Sequence, residues 1–472
     1  MRLDLSIGEF MRNGLTGSKR SGVMQSALDT YNRAFVYRIS AIAAISGLLF
    51  GFDTAVINGA LPFLRLEFHL TDGQVEVVAG ALLLGAVFGA LLSGWVSDRL
   101  GRRRALILCA IGFAVASVYS ALPRVLLEME GARFVGGIAI GMASALTPVY
   151  ISEVSPPSVR GRVVSLNQLA IVLGILAAYF GSWQLARLGP ESWRWMFAAA
   201  AIPSVCYWLG LIGIPESPRW MVAKGNDEGA LRILARISSE DAQQEFQEIR
   251  LSLIAESEVS LSQLFTTSLR RPMWFAIILA VLCQVTGVNT IVYYGSLLLQ
   301  EHAGRSTSSA LGANVMVGVV NLAGTLLSMS IIDRVGRRML LLVGSAGTGI
   351  ALLILGFAFR QQHQEYSVIV ACILAYVFFF ALSFATCIWV YTSELFPNAV
   401  RARAASIAIT MVWIFTLLVT LSFLSLVHAV GVAVTYWIYT AMCAVSFVFV
   451  LFLPETKGKT LEEIQSWWHP HG

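Results

Sequence analysis

Charge is what this 472-residue chain has least of. Only 13% of its residues are Asp, Glu, Lys or Arg, where a soluble domain carries about 25%. With 57% hydrophobic residues and a mean hydropathy of +0.71, that shortage excludes an ordinary soluble protein and points to a polytopic membrane protein. Paired cysteines are also missing. Cys109, Cys206, Cys283, Cys372, Cys387 and Cys443 lie scattered through apolar runs without Cys-X-X-Cys spacing, so they read as free thiols rather than a disulfide or metal framework. The first 33 residues contain no apolar stretch of leader type, so no cleaved signal peptide is expected. No Asn-X-Ser/Thr sequon and no stretch of interleaved basic and aromatic residues occurs. The net charge of +5 therefore reads as topogenic arginine, and no nucleic-acid partner is expected. Gly458-Lys-Thr460 resembles the end of a phosphate loop, but Leu453 stands where its first glycine belongs, which argues against an ATP-driven pump. No metal cluster or catalytic triad stands out, so neither an enzyme nor a metal or organic cofactor is expected.

What is there is a series of apolar runs of spanning length. They fall near 36–62, 75–97, 104–122, 124–152, 163–186 and 194–214, then near 272–300, 309–333, 338–359, 366–396, 403–430 and 432–453. The implied division is a tail over 1–33, six helices over 34–214, a polar helix-prone linker over 215–271, six more helices over 272–453, and a tail over 454–472. Arginine is concentrated in alternate connections. Arg99, Arg102, Arg103 and Arg104 follow the second span, Arg160 and Arg162 the fourth, Arg334, Arg337 and Arg338 the eighth, and Arg401 and Arg403 the tenth. The intervening connections are poorer in Lys and Arg, which predicts cytoplasmic termini and a cytoplasmic linker.

The two halves repeat. Asp98-Arg-Leu-Gly-Arg-Arg103 returns as Asp333-Arg-Val-Gly-Arg-Arg338, Tyr150-Ile-Ser-Glu153 as Tyr391-Thr-Ser-Glu394, and Pro215-Glu216 as Pro454-Glu455. The three offsets lie between 235 and 241 positions and keep their order. This spacing predicts an all-α membrane protein of two parallel six-helix bundles, with a midplane site between them exposed alternately to each side. Gly101 and Gly336 suit tight turns. The arginines around them are expected to pair with Glu153 and Glu394 as a conformational latch, holding one face shut in one state and parting in another. Gly85/Gly89 and Gly137/Gly141 have the spacing of close helix contacts, expected here to seat neighbouring helices rather than a dimer.

Two charges stand inside the apolar runs. Asp53 lies nine residues from Pro62, taken as the end of the first span, and Arg133 lies nine from Arg124, taken as the start of the fourth. At about 1.5 Å per residue each sits roughly 14 Å deep, near the middle of a core about 30 Å thick. A carboxylate at that depth needs a partner or a wet cavity. Arg133 is the candidate partner, and a pair that protonation can break suggests proton coupling.

Over essentially all of its length after the first 30 residues, the chain resembles the sugar porters of the major facilitator superfamily. The resemblance is carried by Gly51-Phe-Asp-Thr-Ala-Val-Ile57, Asp98-Arg-Leu-Gly-Arg-Arg103, Pro148-Val-Tyr-Ile-Ser-Glu153, Arg160-Gly-Arg162, Asn167-Gln168, Pro215-Glu-Ser-Pro-Arg-Trp220, Gln284-Val-Thr-Gly-Val-Asn289 and Pro454-Glu-Thr-Lys-Gly458. It implies that Gln168, Gln284, Asn289 and Asn321 contact sugar hydroxyls, for which uncharged amides supply donors and acceptors together. It also implies that Trp389 and Trp413 line the apolar side, with Phe50 closing it, and that Tyr293 and Tyr294 beyond Gly287 form an outer gate. Cys283 and Val412 stand where the family often has amides, so fewer polar ligands are expected. Proton-coupled members have Asp at the position of Asp53 and facilitative animal carriers a neutral residue. The expected function is therefore import of a hexose or pentose with a proton, in the plasma membrane (the inner membrane in a bacterium) and as a monomer. In the accompanying mechanism the ionised pair belongs to the outward-facing state, and protonation permits inward opening. The competing readings are a passive facilitator, a polyol or inositol symporter and, from another class, a non-transporting sugar sensor.

Overall fold

In the computed structural model the described residues are 31–459, apart from 157–158, 239–240, 258–264, 266–268, 302–303, 305, 362–364 and 397. The tails over 1–30 and 460–472 and the side chain of Arg401 lie outside them. The first half comprises α1 (Arg33–Glu67), α2 (Asp72–Leu100), α3 (Arg102–Ala121), α4 (Leu126–Glu153), α5 (Arg160–Leu185), α6 (Ser192–Ala198) and α7 (Ala201–Ile212). The linker holds α8 (Pro218–Ala223), α9 (Asp227–Ile237) and α10 (Ala242–Ser257). The second half comprises α11 (Arg270–Val285), α12 (Val288–Glu301), α13 (Thr307–Val335), α14 (Arg337–Arg360), α15 (Tyr366–Leu382), α16 (Phe384–Glu394), α17 (Asn398–Val430) and α18 (Val432–Leu451). Among the described residues twelve stretches are long and apolar enough to cross a membrane, with α6/α7, α11/α12 and α15/α16 each forming one broken span.

Local chemistry explains several boundaries. The Asn32 side chain caps α1 by accepting from the Phe35 amide at 3.0 Å, and Thr71 with Gln74 forms a capping box on α2. Gly101 (φ +96°) and Gly336 (φ +98°) turn the chain between α2 and α3 and between α13 and α14, in the left-handed region that favours glycine. The first span is longer than expected and runs to Glu67 through Pro62. Proline has no N–H to give the carbonyl four residues back. That carbonyl, on Asn58, instead accepts from the Ser296 hydroxyl of α12, so the proline frees an acceptor for the other half.

The glycine pairs seat helices within one bundle, as expected. A Cβ on Gly137 would stand 1.9 Å from the Leu82 carbonyl oxygen, and one on Gly85 would stand 2.1 Å from that of Phe134. Substitution there would force α2 away from α4. The linker docks on the start of α1, where the Asn32 amide donates to the Ile237 carbonyl at 2.8 Å and Arg236 lies 4.5 Å over the Phe35 ring. Two faces follow from the connections. One carries the arginine-rich turns, and the opposite face carries the α1–α2, α12–α13 and α17–α18 connections.

Candidate functional site

Asp53 and Arg133 meet, although they stand at different distances from the ends of their helices. Asp53 is 14 residues from the end of α1 at Glu67, while Arg133 is seven from the start of α4 at Leu126. Both are buried, at 6% and 1% exposure. Arg133 Nη1 lies 3.4 Å from Asp53 Oδ1, and Nη2 donates to the Asp53 backbone carbonyl at 3.0 Å. The guanidinium also lies 5.4 Å from the centre of the Phe197 ring. The shorter bond thus goes to an oxygen that cannot be protonated away at neutral pH.

The second half supplies a polar cluster at the break between α11 and α12. Gly287, at φ +87°, separates the two helices, so Gln284 and Asn289 approach each other from the two half-helices. Asn289 Nδ2 donates to Gln284 Oε1 at 2.7 Å. Thr416 Oγ1, from α17, lies 3.0 Å from the same Oε1 and 2.7 Å from the Val412 carbonyl oxygen. With one hydroxyl hydrogen and two acceptors, Thr416 can satisfy only one of them at a time. Gln284 Nε2 is 3.5 Å from Cys283 Sγ. Trp413, one turn before Thr416, has its ring centre 5.3 Å from that of Phe50 and donates from Nε1 to Ser144 Oγ at 3.3 Å. The two bundles therefore touch at the level of this cluster.

The other expected ligands come from further helices. Gln168 and Asn321 are half-buried, on α5 and α13. Neither is tied to the Gln284–Asn289–Thr416 cluster by a hydrogen bond. Trp389 is 37% exposed on α16. Asn167, beside Gln168, faces α1, where a Cβ on Gly47 would stand 2.6 Å from its carbonyl oxygen.

Further toward the opposite face, the halves are tied together through Asn58, which sequence reasoning did not single out. Its Nδ2 donates to the Ile291 and Val292 carbonyls at 3.0 and 2.8 Å. Its Oδ1 accepts from the Ser296 amide at 2.8 Å and from Asn314 Nδ2 at 3.0 Å. Tyr179 donates to the Val292 carbonyl at 3.3 Å. Tyr293 is buried within electrostatic reach of Arg133. Tyr294 is buried too; it stacks on Phe423 and donates to the Thr420 carbonyl at 2.8 Å. Arg65 of α1 pairs with Glu301 of α12 and lies 2.6 Å from Asp72 of α2. The signal in the sequence was a lone amide, Asn58, in an apolar run five residues after Asp53.

On the arginine-rich face the ties run within each bundle. Arg102 makes a fork to Glu153 at 3.2 and 3.3 Å and reaches Asp98 at 3.0 Å. Arg337 reaches Glu394 and Asp333, each at 2.9 Å. Arg103 and Arg338 serve differently, donating to carbonyls at the ends of α7 and α18: Leu211 and Ile212 for the first, Leu451 for the second. The acids beside those turns are Glu216 and Glu455, which cap α3 and α14 by accepting backbone amides at 3.0 Å. Arg99 lies over Trp95 at 4.2 Å, Arg160 donates to the Ser155 carbonyl at 3.4 Å, Arg162 and Arg334 are exposed, and Arg403 is half-buried. The expected latch pairs therefore join helices of one bundle, and they are intact while the opposite face is tied shut. The Asp53–Arg133 pair is likewise intact with that face shut.

These features recur in known proteins. The profile of the family described as "Sugar (and other) transporter" matches residues 39–468. The arabinose-proton symporter of Bacillus subtilis is 38% identical over 447 residues, covering 93% of this chain and 96% of that protein. The D-xylose-proton symporter of Escherichia coli is 35% identical over 481 residues, with 93% and 97% covered. Among solved structures, the proton:xylose symporter XylE bound to 6-bromo-6-deoxy-D-glucose superposes with a TM-score of 0.81 at 34% identity, covering 93% of this chain and all of that one. The inward open conformation of XylE from E. coli gives 0.80 at 32% identity. With twelve spanning helices in two six-helix bundles, this chain is a multi-pass membrane protein of the major facilitator fold and belongs to the Sugar (and other) transporter family.

Proposed function

We propose that the protein imports a monosaccharide, a hexose or a pentose, together with a proton by alternating access. The observation that carries this reading is the buried Asp53–Arg133 pair, one helical turn from Phe50, whose ring meets Trp413 beside the Gln284–Asn289–Thr416 cluster. A proton site and a polar, aromatic-lined sugar site then share one seam between the bundles. Taking the arginine-rich face as cytoplasmic, both termini and the linker lie inside, in a plasma membrane. The ties around Asn58 then seal the outer face in this arrangement.

Gln284 Oε1 already accepts from Asn289, so Gln284 presents chiefly its amide donors to a sugar hydroxyl, while Asn289 Oδ1 offers an acceptor. Gln168 and Asn321 complete the polar lining from α5 and α13, and Trp389 adds an apolar wall. A proton arriving from outside adds to the Asp53 carboxylate and neutralises it. Arg133 loses its charged partner there but keeps the backbone carbonyl of Asp53, so α1 and α4 stay joined while the charge balance changes. Release of the proton to the cytoplasm restores the pair.

The test is purified protein in liposomes with a trapped pH dye, given pentoses, hexoses and inositols one at a time. Proton movement driven by one sugar, and lost with Asp53→Asn while labelled-sugar exchange persists, is the expected result. Sugar equilibration without any proton signal would make the protein a facilitator and the pair a structural one.

A further inference from the structure

One buried acid has no part in the pair or in the sugar cluster. Glu76, on α2, is 3% exposed and sits at the seam with α17 near the opposite face. Its Oε1 accepts from the Ser425 backbone amide at 2.8 Å, and its Oε2 lies 2.7 Å from the Ser425 hydroxyl. Both contacts cross between the bundles. Among the described residues no cation lies within ion-pair distance of it. The groups around it supply none. Tyr294 of α12 and Tyr439 of α18 are the phenols within its electrostatic reach. Asp72, one turn earlier, is held by Arg65 and lies 4.0 Å from the exposed His428 of α17. On α4, Glu128 turns back to accept from the Arg124 amide at 2.7 Å.

An ionised carboxylate taken from water without a cation is costly. Ser425 offers one obligate donor, its N–H, and a hydroxyl that can donate or accept. A neutral carboxylic acid can donate its O–H to Ser425 Oγ and accept the N–H on its other oxygen, and an ionised carboxylate would accept from both. It is therefore the missing cation, and not the bond pattern, that favours the neutral acid. Once the bundles part on this face, water takes over both contacts and the reason for holding the proton is gone. Ser425 is itself exposed and lies five residues from the opposite-face end of α17 at Val430. We propose that Glu76 is a proton-binding site separate from the Asp53–Arg133 pair, taking up a proton from the opposite-face solution as the bundles close there and returning it to the same side when they part. Such a proton is not transported. It links closure of that face to the acidity outside and leaves the sugar-to-proton ratio alone. The proposal rests on alternating access between the two faces but not on sugar–proton coupling.

The test is a distance across the opposite face, between nitroxides on Leu66→Cys and Val430→Cys, which are 76% and 42% exposed. The full-length chain carries Cys206→Ser to remove the exposed native thiol and His428→Gln to remove the nearby imidazole. With Asp53→Asn added, the ratio of closed to open distances should rise as pH falls, by up to about tenfold per pH unit, the limit for one proton. Adding Glu76→Gln, whose amide reproduces the neutral acid's donor and acceptor, should leave the face closed at every pH. A Glu76→Gln chain that titrates like its Asp53→Asn parent, or a parent that does not close on acidification, overturns the proposal. So does a fall in protons moved per sugar when Glu76→Gln is made alone. A wild-type protein that moves no proton with any sugar, yet closes on acidification through Glu76, defeats the coupling reading and leaves this one standing.

Discussion

Arg133 holds Asp53 twice, once at the carboxylate (3.4 Å) and once at the backbone carbonyl (3.0 Å). The two contacts respond differently to mutation. Asp53→Asn removes the charge and keeps the carbonyl, so Arg133 retains an anchor on α1. Proton-driven accumulation of sugar should be abolished in this variant while counterflow and folding survive. Arg133→Ala leaves a buried carboxylate unpaired, a loss of about 3–5 kcal/mol, and should lower thermal stability far more than Asp53→Asn does. Accumulation assays beside melting curves of both variants check this. Equal destabilisation by the two would mean that the carbonyl bond anchors nothing.

Thr416 should govern how Gln284 presents its amide. Thr416→Val keeps the shape and removes the hydroxyl near Gln284 Oε1. A hydrogen bond of this kind contributes about 0.5–1.5 kcal/mol, so KM for the transported sugar should rise roughly 2- to 13-fold, with kcat little changed. Thr416→Ser should behave like the wild type. Transport kinetics with a panel of deoxy sugars would also locate the hydroxyl read by Gln284. A valine variant with an unaltered profile would place Thr416 outside recognition.

How much of this was readable beforehand varies with the physics involved. The twelve spans were legible because apolar length is a one-dimensional property, and the parallel halves because Asp98, Glu153 and Glu216 recur as Asp333, Glu394 and Glu455 at nearly one offset. The meeting of Asp53 and Arg133 was legible from the cost of burying either alone. Their equal depth was not, because Pro62 lies inside α1 rather than at its end. The division of labour among the arginines was also hidden. Arg102 and Arg103 are neighbours in sequence, yet one forks onto Glu153 and the other reaches carbonyls at the end of α7, a difference set by which way each side chain leaves the first turn of α3. Thr416, Asn58 and Glu76 escaped notice because their meaning lies wholly in partners more than 100 residues away.

Asn58 should control the opposite-face seal. Its side chain makes four hydrogen bonds to α12 and α13, and Asn58→Ala takes a partner from the buried Ser296 amide and from the buried Asn314 Nδ2. Each such group costs about 1–3 kcal/mol when it stays dry, so the face should open to rehydrate them. A cysteine at Ile291, which is fully buried, reports this in a Cys206→Ser background. Its alkylation by an impermeant reagent added from that face should accelerate at least about tenfold in the Asn58→Ala chain, the factor for 1.4 kcal/mol. An unchanged rate would mean that Tyr294 and the Arg65–Glu301 pair hold the seal without it.

The arginine-turn pairs make the contrasting case. Because Arg102 and Glu153 belong to one bundle, Glu153→Gln removes an acid that accepts from Arg102 and from Ser217 at 2.5 Å without cutting any tie between bundles. Arg102 keeps Asp98, but that acid is 72% exposed, and an exposed pair contributes at most about 1 kcal/mol. The expected outcome is a lower melting temperature and slower transport, with no change in the spin-label distance across the opposite face. Glu394→Gln should do the same in the second half, where Arg337 and Thr456 share the acid. If either substitution instead moved the opposite-face distance, the turns would be setting which face is open, as a latch between states does, and packing within a bundle would not be their main task.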